Sequence, residues 1–224
     1  MLKELKREVY EQNLALVKSG LSVMSLGSVS AIDRDKGVVV VKPSGVPFDD
    51  LTADDMIVID LMTRKVVGSK YTPAGDTPTH LYLYDAFKNI GGIVQSHSTY
   101  AVAWAQAGVE LPVYGTTHAT SFYGKIPCTR ALTEEEVKKD YEKNIGKVIA
   151  ETFASRSYEF TPAVLVKNHR PFTWGRSSEE AVRNAIALEE VARMAKITRD
   201  INPSVAEADA FLVEKYAGRR LGLR

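Results

Sequence analysis

The chain has 224 residues, 45% of them hydrophobic and 25% charged, with 29 Lys and Arg against 28 Asp and Glu and so a formal charge of +1. That is the composition of a globular domain able to bury a core without disulfides or structural metals, and its length fits one α/β domain. The balanced charge argues against nucleic acid or an anionic membrane as the main partner. The single cysteine, Cys128, excludes an internal disulfide framework and suits a reducing, cytoplasmic setting. The first eight residues mix acids and bases and do not read as a signal peptide, and no run approaches 18 apolar residues.

In chain order, Leu2, Leu5, Val9 and Leu16 form one helical stripe closed by Gly20. Gly37–Val41 is a β-branched strand running into the turn Lys42-Pro43-Ser44-Gly45, and Met56–Asp60 is a second strand. Pro73 and Gly75 mark a loop, after which Thr77 as N-cap and Pro78 as first helical residue start a helix running to about Asn89. Gly91–His97 is a third strand leading into a helix over Tyr100–Ala107. Thr133 with Glu136, and Ser177 with Glu180, have capping-box spacing. Between them Ala163–His169 reads as a buried strand. The helix after Ser177 carries the stripe Ala181, Ala185, Leu188, Ala192 and Ala195, and the tail from Asn202 has a short helix and the basic end Arg219–Arg224. Strands and helices intermix, and a mixed or antiparallel sheet covered by helices fits as well as a parallel one.

Four histidines are present. Period-two alternation puts Gln95 and His97 on one strand face, and His97 and His169 both follow apolar strands, so they can converge at one sheet end. Two neutral imidazoles facing a cavity can bind a divalent transition metal, with Asp76 as a further ligand or a base. The plainer reading is of polar residues with ordinary hydrogen-bond partners. The turns Gly27–Ser30, Lys42–Gly45 and Pro73–Asp76 offer backbone N–H groups which, with Lys42 and Ser44, can hold a phosphate, although none matches a glycine-rich nucleotide motif. Thr116, Thr117 and His118 offer groups to a ligand or to the backbone. His80 reads as structural, Cys128 as a small buried residue, and Trp104 and Trp174 as core or interface.

The ordered set Gly27-Ser28-Val29-Ser30-Ala31, Lys42-Pro43-Ser44-Gly45-Val46, Gly75-Asp76-Thr77-Pro78-Thr79-His80, Gly91-Gly92-Ile93-Val94, Gly115-Thr116-Thr117-His118-Ala119 and Ile126-Pro127-Cys128-Thr129-Arg130 resembles the class II aldolase and epimerase superfamily, and within it the L-ribulose-5-phosphate 4-epimerases. The resemblance implies one class II aldolase-like domain over 1–224, a three-layer α/β/α fold with a mainly antiparallel central sheet. It also implies a homotetramer around a four-fold axis with active sites at subunit interfaces, and a sugar phosphate or other anion as ligand. A divalent metal, usually zinc, held by three histidines would assist retro-aldol cleavage and re-formation of C3–C4 with inversion at C4.

By the same resemblance, Gln95 stands in place of the first metal histidine, while His97 and His169 keep the other two. Arg170 follows where glycine is usual, and Thr120 and Tyr216 replace a catalytic aspartate and histidine. Ser28 replaces an asparagine, and Ala74 and Gly75 replace two serines, in a phosphate pocket that keeps Lys42, Ser44 and Gly45. The implied site is therefore Asp76, Thr120 and Tyr216 for catalysis, with Ser28, Lys42, Ser44, Gly45, Ala74, Gly75, Thr116 and Thr117 for substrate. Gln95, His97 and His169 form a weakened metal set. Two expectations follow: a metal-dependent epimerase or aldolase of impaired native activity, or a repurposed or engineered scaffold of the same fold whose remodelled pocket is metal-free or non-catalytic.

Overall fold

A computed structural model describes residues 2–24 and 26–220, the side chains of 219 and 220 excepted. Seven strands form one sheet: β1 (Ser28–Asp33), β2 (Val38–Val41), β3 (Ile57–Asp60), β4 (Val66–Val67), β5 (Gly92–Gln95), β6 (Ala163–Leu165) and β7 (Pro171–Gly175). Their order is β4-β3-β2-β1-β5-β7-β6, and every neighbouring pair is antiparallel. The sequence leaves parallel pairing open; the structure closes it.

Helices cover both faces: α1 (Leu2–Lys18), α2 (Thr77–Ala86), α3 (Thr99–Ala107), α4 (Thr116–Ser121), α5 (Glu134–Lys138), α6 (Tyr141–Thr152), α7 (Ser178–Ile201) and α8 (Ala210–Arg220). All four valines of β2 are buried because the strand has no solvent face. Val39 and Val41 join Leu83, Tyr84, Ile145 and Trp174 under α2 and α6, while Val38 and Val40 join Val9 and Met56 beneath α1. Residues Ala181 and Ala185 of the small-residue stripe pack with Leu16, Val29 and Val94. Gly92 permits this approach, since a Cβ there would lie 2.3 Å from Ser178 Cα. Asn13, fully buried on α1, donates from Nδ2 to the carbonyl of Val29 at 3.1 Å and accepts from its N–H at 3.0 Å.

Four local expectations are corrected. Helix α2 begins one residue early, with Asp76 in the flanking position, and the Thr77 hydroxyl donates to the Ala74 carbonyl instead of capping. The helix stops at Ala86 because Phe87 turns extended and stacks on Tyr158 with centroids 4.3 Å apart. The strand through Ala163 ends at Leu165: Asn168 adopts φ 59°, and the chain reverses so that His169 lies in a tight β6–β7 turn. The second capping box is half made. Ser177 accepts from the Glu180 N–H, but the Glu180 carboxylate accepts from the Arg176 N–H. The Thr133–Glu136 box is complete. Residues 221–224 of the basic end lie outside the described residues. No helix among the described residues is long and apolar enough to cross a membrane.

Candidate active site

Antiparallel register brings four chain segments to one end of the sheet. Val41 pairs with Ser30, Ser28 with Gln95, and Gln95 with Phe172. Lys42 therefore leaves β2 beside the start of β1, next to the end of β5 and the Arg170–Pro171 entry to β7. A cavity of about 570 Å³ opens there. Ser28, Lys42, Ser44, Gly45, Ala74, Gly75, Asp76, Gln95, His97 and His169 all line it, together with Arg170.

Backbone bonds fix the walls. The Ser44 N–H donates to the Thr72 carbonyl at 2.8 Å and the Ala74 N–H to the Lys42 carbonyl at 3.0 Å, so the turn after β2 and the loop before α2 hold each other. Gly45 has φ +73°, a left-handed conformation that glycine adopts without strain. Lys42 is buried with its ammonium 4.5 Å from the centroid of the Phe48 ring; burial lowers its pKa and the Asp76 charge opposes that.

Asp76 is the anionic centre. Ser28 Oγ donates to Asp76 Oδ2 at 2.5 Å, and His80 Nε2 lies 3.4 Å from the same oxygen. Burial pushes the carboxyl pKa up, but the His80 imidazole and the Ser28 hydroxyl pull it further down, leaving it below the ordinary carboxylate range. Its place at the α2 N-terminus favours the same ionised form. Behind it the polar chain continues inward: His80 Nδ1 is 2.8 Å from Ser30 Oγ, which is 2.8 Å from the Tyr84 hydroxyl. His80 is thus inside α2, as its sequence position suggests, but it backs the site and is more than a packing residue.

His97 is anchored by its backbone N–H, which donates to the Leu21 carbonyl at 2.9 Å, and His169 stacks on Phe172 with Tyr141 edge-on. Burial, then the Arg170 charge, push both imidazoles down to about 4, against the opposing pull of Asp76. Both are neutral at pH 7. His97 Nε2 and His169 Nδ1 are buried without a hydrogen-bond partner among the described residues, as is His80 Nε2. Two orphaned ring nitrogens beside one cavity fit a cation or a hydrogen-bonding ligand. The metal fit is partial: among the described residues no three His, Cys, Asp or Glu side chains cluster as a ligand set, and Gln95 adds only an amide.

The remaining residues singled out in the sequence do not enter this cavity. Thr120 and Tyr216 line a separate cavity of about 550 Å³ with Arg183 and Asn184. Thr117 lines a smaller one beside Tyr114 and His118, and the Thr116 carbonyl accepts from the Thr120 hydroxyl at 2.7 Å. Burial raises the Cys128 thiol to about 11, which suits a packing residue and not a thiolate. Other contributors escape sequence reasoning. His80 is signalled by the i, i+4 spacing from Asp76. Tyr141 and Glu142, from the start of α6, carry no local signal, because only tertiary packing brings α6 to the cavity.

The family described as Class II Aldolase and Adducin N-terminal domain matches residues 7–196 of the chain. Among solved structures, an L-fuculose 1-phosphate aldolase superposes with TM-score 0.82 at 22% identity, covering 97% of this chain and 96% of that one. YgbL from Klebsiella pneumoniae gives TM-score 0.75 at 24% identity, covering 96% and 99%. The L-fuculose-1-phosphate aldolase of Thermus thermophilus gives 0.70 at 19%, covering 92% and 100%. At these identities the structural likenesses speak to the fold.

Proposed function

Since the chain belongs to the class II aldolase and adducin N-terminal domain family, we propose that it is a sugar-phosphate aldolase or epimerase, with L-ribulose 5-phosphate 4-epimerisation as its reference reaction and a native rate reduced by its altered site. One observation carries the reading: a single cavity gathers an ionised Asp76, the Lys42–Gly45 turn and two neutral imidazoles with unpartnered ring nitrogens.

The roles follow from the chemistry of the side chains. Lys42, with Ser44 and the backbone at Gly45, binds the phosphate, while Ser28 orients Asp76 and the small Ala74 and Gly75 leave room beside it. Asp76, held ionised, takes the C4 hydroxyl proton as the C3–C4 bond breaks. The bond's electron pair passes to the ketone fragment and C4 becomes an aldehyde. Rotation of the aldehyde, return of the electron pair and return of the proton complete inversion. His97 and His169, with Gln95 as a weaker third donor, would hold a divalent cation such as zinc, which when bound supplies Lewis-acid polarisation of the ketone. Thr116, Thr117, Thr120 and Tyr216 lie outside their own chain's cavity, so in this reading they complete the site of a neighbouring copy in a four-fold tetramer. Threonine has no pKa near neutrality, which accounts for a slow reaction.

The test combines zinc uptake by the purified protein with conversion of L-ribulose 5-phosphate to D-xylulose 5-phosphate after metal loading, alongside mass measurement in solution. Slow conversion by a metal-loaded tetramer is expected. A protein that takes up no metal and shows no conversion after loading overturns the reading.

A further inference from the structure

The cavity receives a cation from each side. Lys42 leaves the end of β2, and Arg170 immediately precedes β7. In the order β2-β1-β5-β7 these strands are three spacings apart, about 14 Å between backbones. Both side chains line the same cavity, and the Asp76 charge acts on each of them.

The two cations differ in their surroundings. Lys42 is buried against the Phe48 ring and beside the hydrogen-bonded turn through Ser44 and Gly45. Arg170 has its guanidinium half-buried at the cavity wall with no hydrogen bond or ion pair to any described residue. Glu142 lines the cavity too, yet forms no ion pair with Arg170. Two other arginines show the alternative: Arg34 donates to three backbone carbonyls, and Arg130 grips Glu136 with two parallel bonds. A guanidinium partly removed from water with its donor fork unfilled is matched by a carboxylate or a phosphate, whose oxygens accept the parallel pair; with the phosphate held at the Lys42 turn, the carboxylate is the group left for Arg170. The neighbouring imidazoles of His97 and His169 line the same cavity, each with a buried ring nitrogen that has no partner among the described residues.

We propose that Arg170 is a specificity-determining residue that binds a carboxylate, so that the substrate class is a phosphorylated sugar acid, with its phosphate at Lys42 and its carboxylate at Arg170. This rests on the sugar-phosphate reading above and redirects it from a pentulose phosphate, whose other end is uncharged, to a phosphorylated acid. It also gives the reduced rate on L-ribulose 5-phosphate a physical cause, because a neutral end leaves the guanidinium desolvated and unpaired.

The test is calorimetric titration of metal-stripped protein, in chelator, with two probes that differ in one group: 4-phospho-D-erythronate and D-erythritol 4-phosphate. Removing metal prevents chelation from counterfeiting the effect. The acid is expected to bind about tenfold or more tightly, the scale of one charged, desolvated hydrogen-bonded pair. Arg170→Gln should abolish that preference and leave the alcohol's affinity within about twofold, while Arg170→Lys should keep only part of it. Equal binding of both probes, or a preference that survives Arg170→Gln in a folded protein, overturns the carboxylate assignment alone. Failure of both probes to bind at millimolar concentration removes the sugar-phosphate reading together with it.

Discussion

The sheet-end cavity and the groove between α4, α7 and α8 both contain residues that the family resemblance assigns to one active site, yet they are built differently. His118, near the groove, is pushed down to about 4 by burial, the same value as His97 and His169. Its Nε2, however, is 2.9 Å from the Gly124 carbonyl, and Thr120 is bonded back to its own helix. In the cavity each of the two shifted imidazoles keeps a buried nitrogen with no partner among the described residues. A depressed pKa therefore marks burial in both regions, and the unsatisfied nitrogen marks the place prepared for a ligand.

The largest expected effect separates the regions at the anion. Asp76→Asn should lower turnover by about 10²–10⁴-fold in steady-state assays of metal-loaded protein, since the amide cannot take a proton. An unchanged rate would move the base elsewhere. Next, Gln95→His should tighten zinc by roughly tenfold or more in competition with a chromophoric chelator, by supplying the third imidazole of an ordinary zinc site. Thr120→Asp should leave zinc affinity unchanged, and if it tightened zinc instead, the two regions would have to share a metal.

Protonation offers a subtler comparison. His97, His118 and His169 have folded pKa values lowered to about 4 from 6.5. Between those values the unfolded chain binds protons that the folded one refuses, so stability is full above about 6.5 and falls as pH drops toward 4. Nitrogen-detected NMR titration should show all three imidazoles changing state near pH 4, and added zinc should perturb His97 and His169 but not His118. Any of the three titrating near 6.5 would contradict its desolvated environment. The smallest effect belongs to Thr120→Ala, whose exposed hydroxyl bonds, among the described residues, to the Thr116 carbonyl. Chemical denaturation should register a change within about 0.5 kcal/mol.

Much of this arrangement is legible in the sequence where one residue type admits one physical outcome. The β-branched run ending at Val41 reads as a strand, and Thr133 with Glu136 signals the cap of the helix that starts there. The convergence of His97 and His169 follows from two apolar runs ending at one edge, although His169 reaches that edge from a turn and not from the strand itself. The Asp76–His80–Ser30–Tyr84 chain is hidden, because its members lie on α2 and β1 and meet only once the sheet forms. Thr77 looks like a cap because the competing demand on the preceding residue is tertiary: the Asp76 carboxylate is bonded to Ser28. Arg170 is conspicuous as a residue type, but its unfilled fork is visible only in three dimensions.

Asn13 gives the opening of the cavity its architectural cause. Continuing the β1–β2 register past Ser30 and Val41 would place Lys42 opposite Val29, but there the carboxamide of Asn13 meets both peptide groups of Val29. One side chain thus impersonates the missing peptide of a neighbouring strand. Freed from that duty, the backbone at Lys42 can peel away from the sheet, so the mouth of the cavity is shaped by a residue on the first helix that is not among its lining residues.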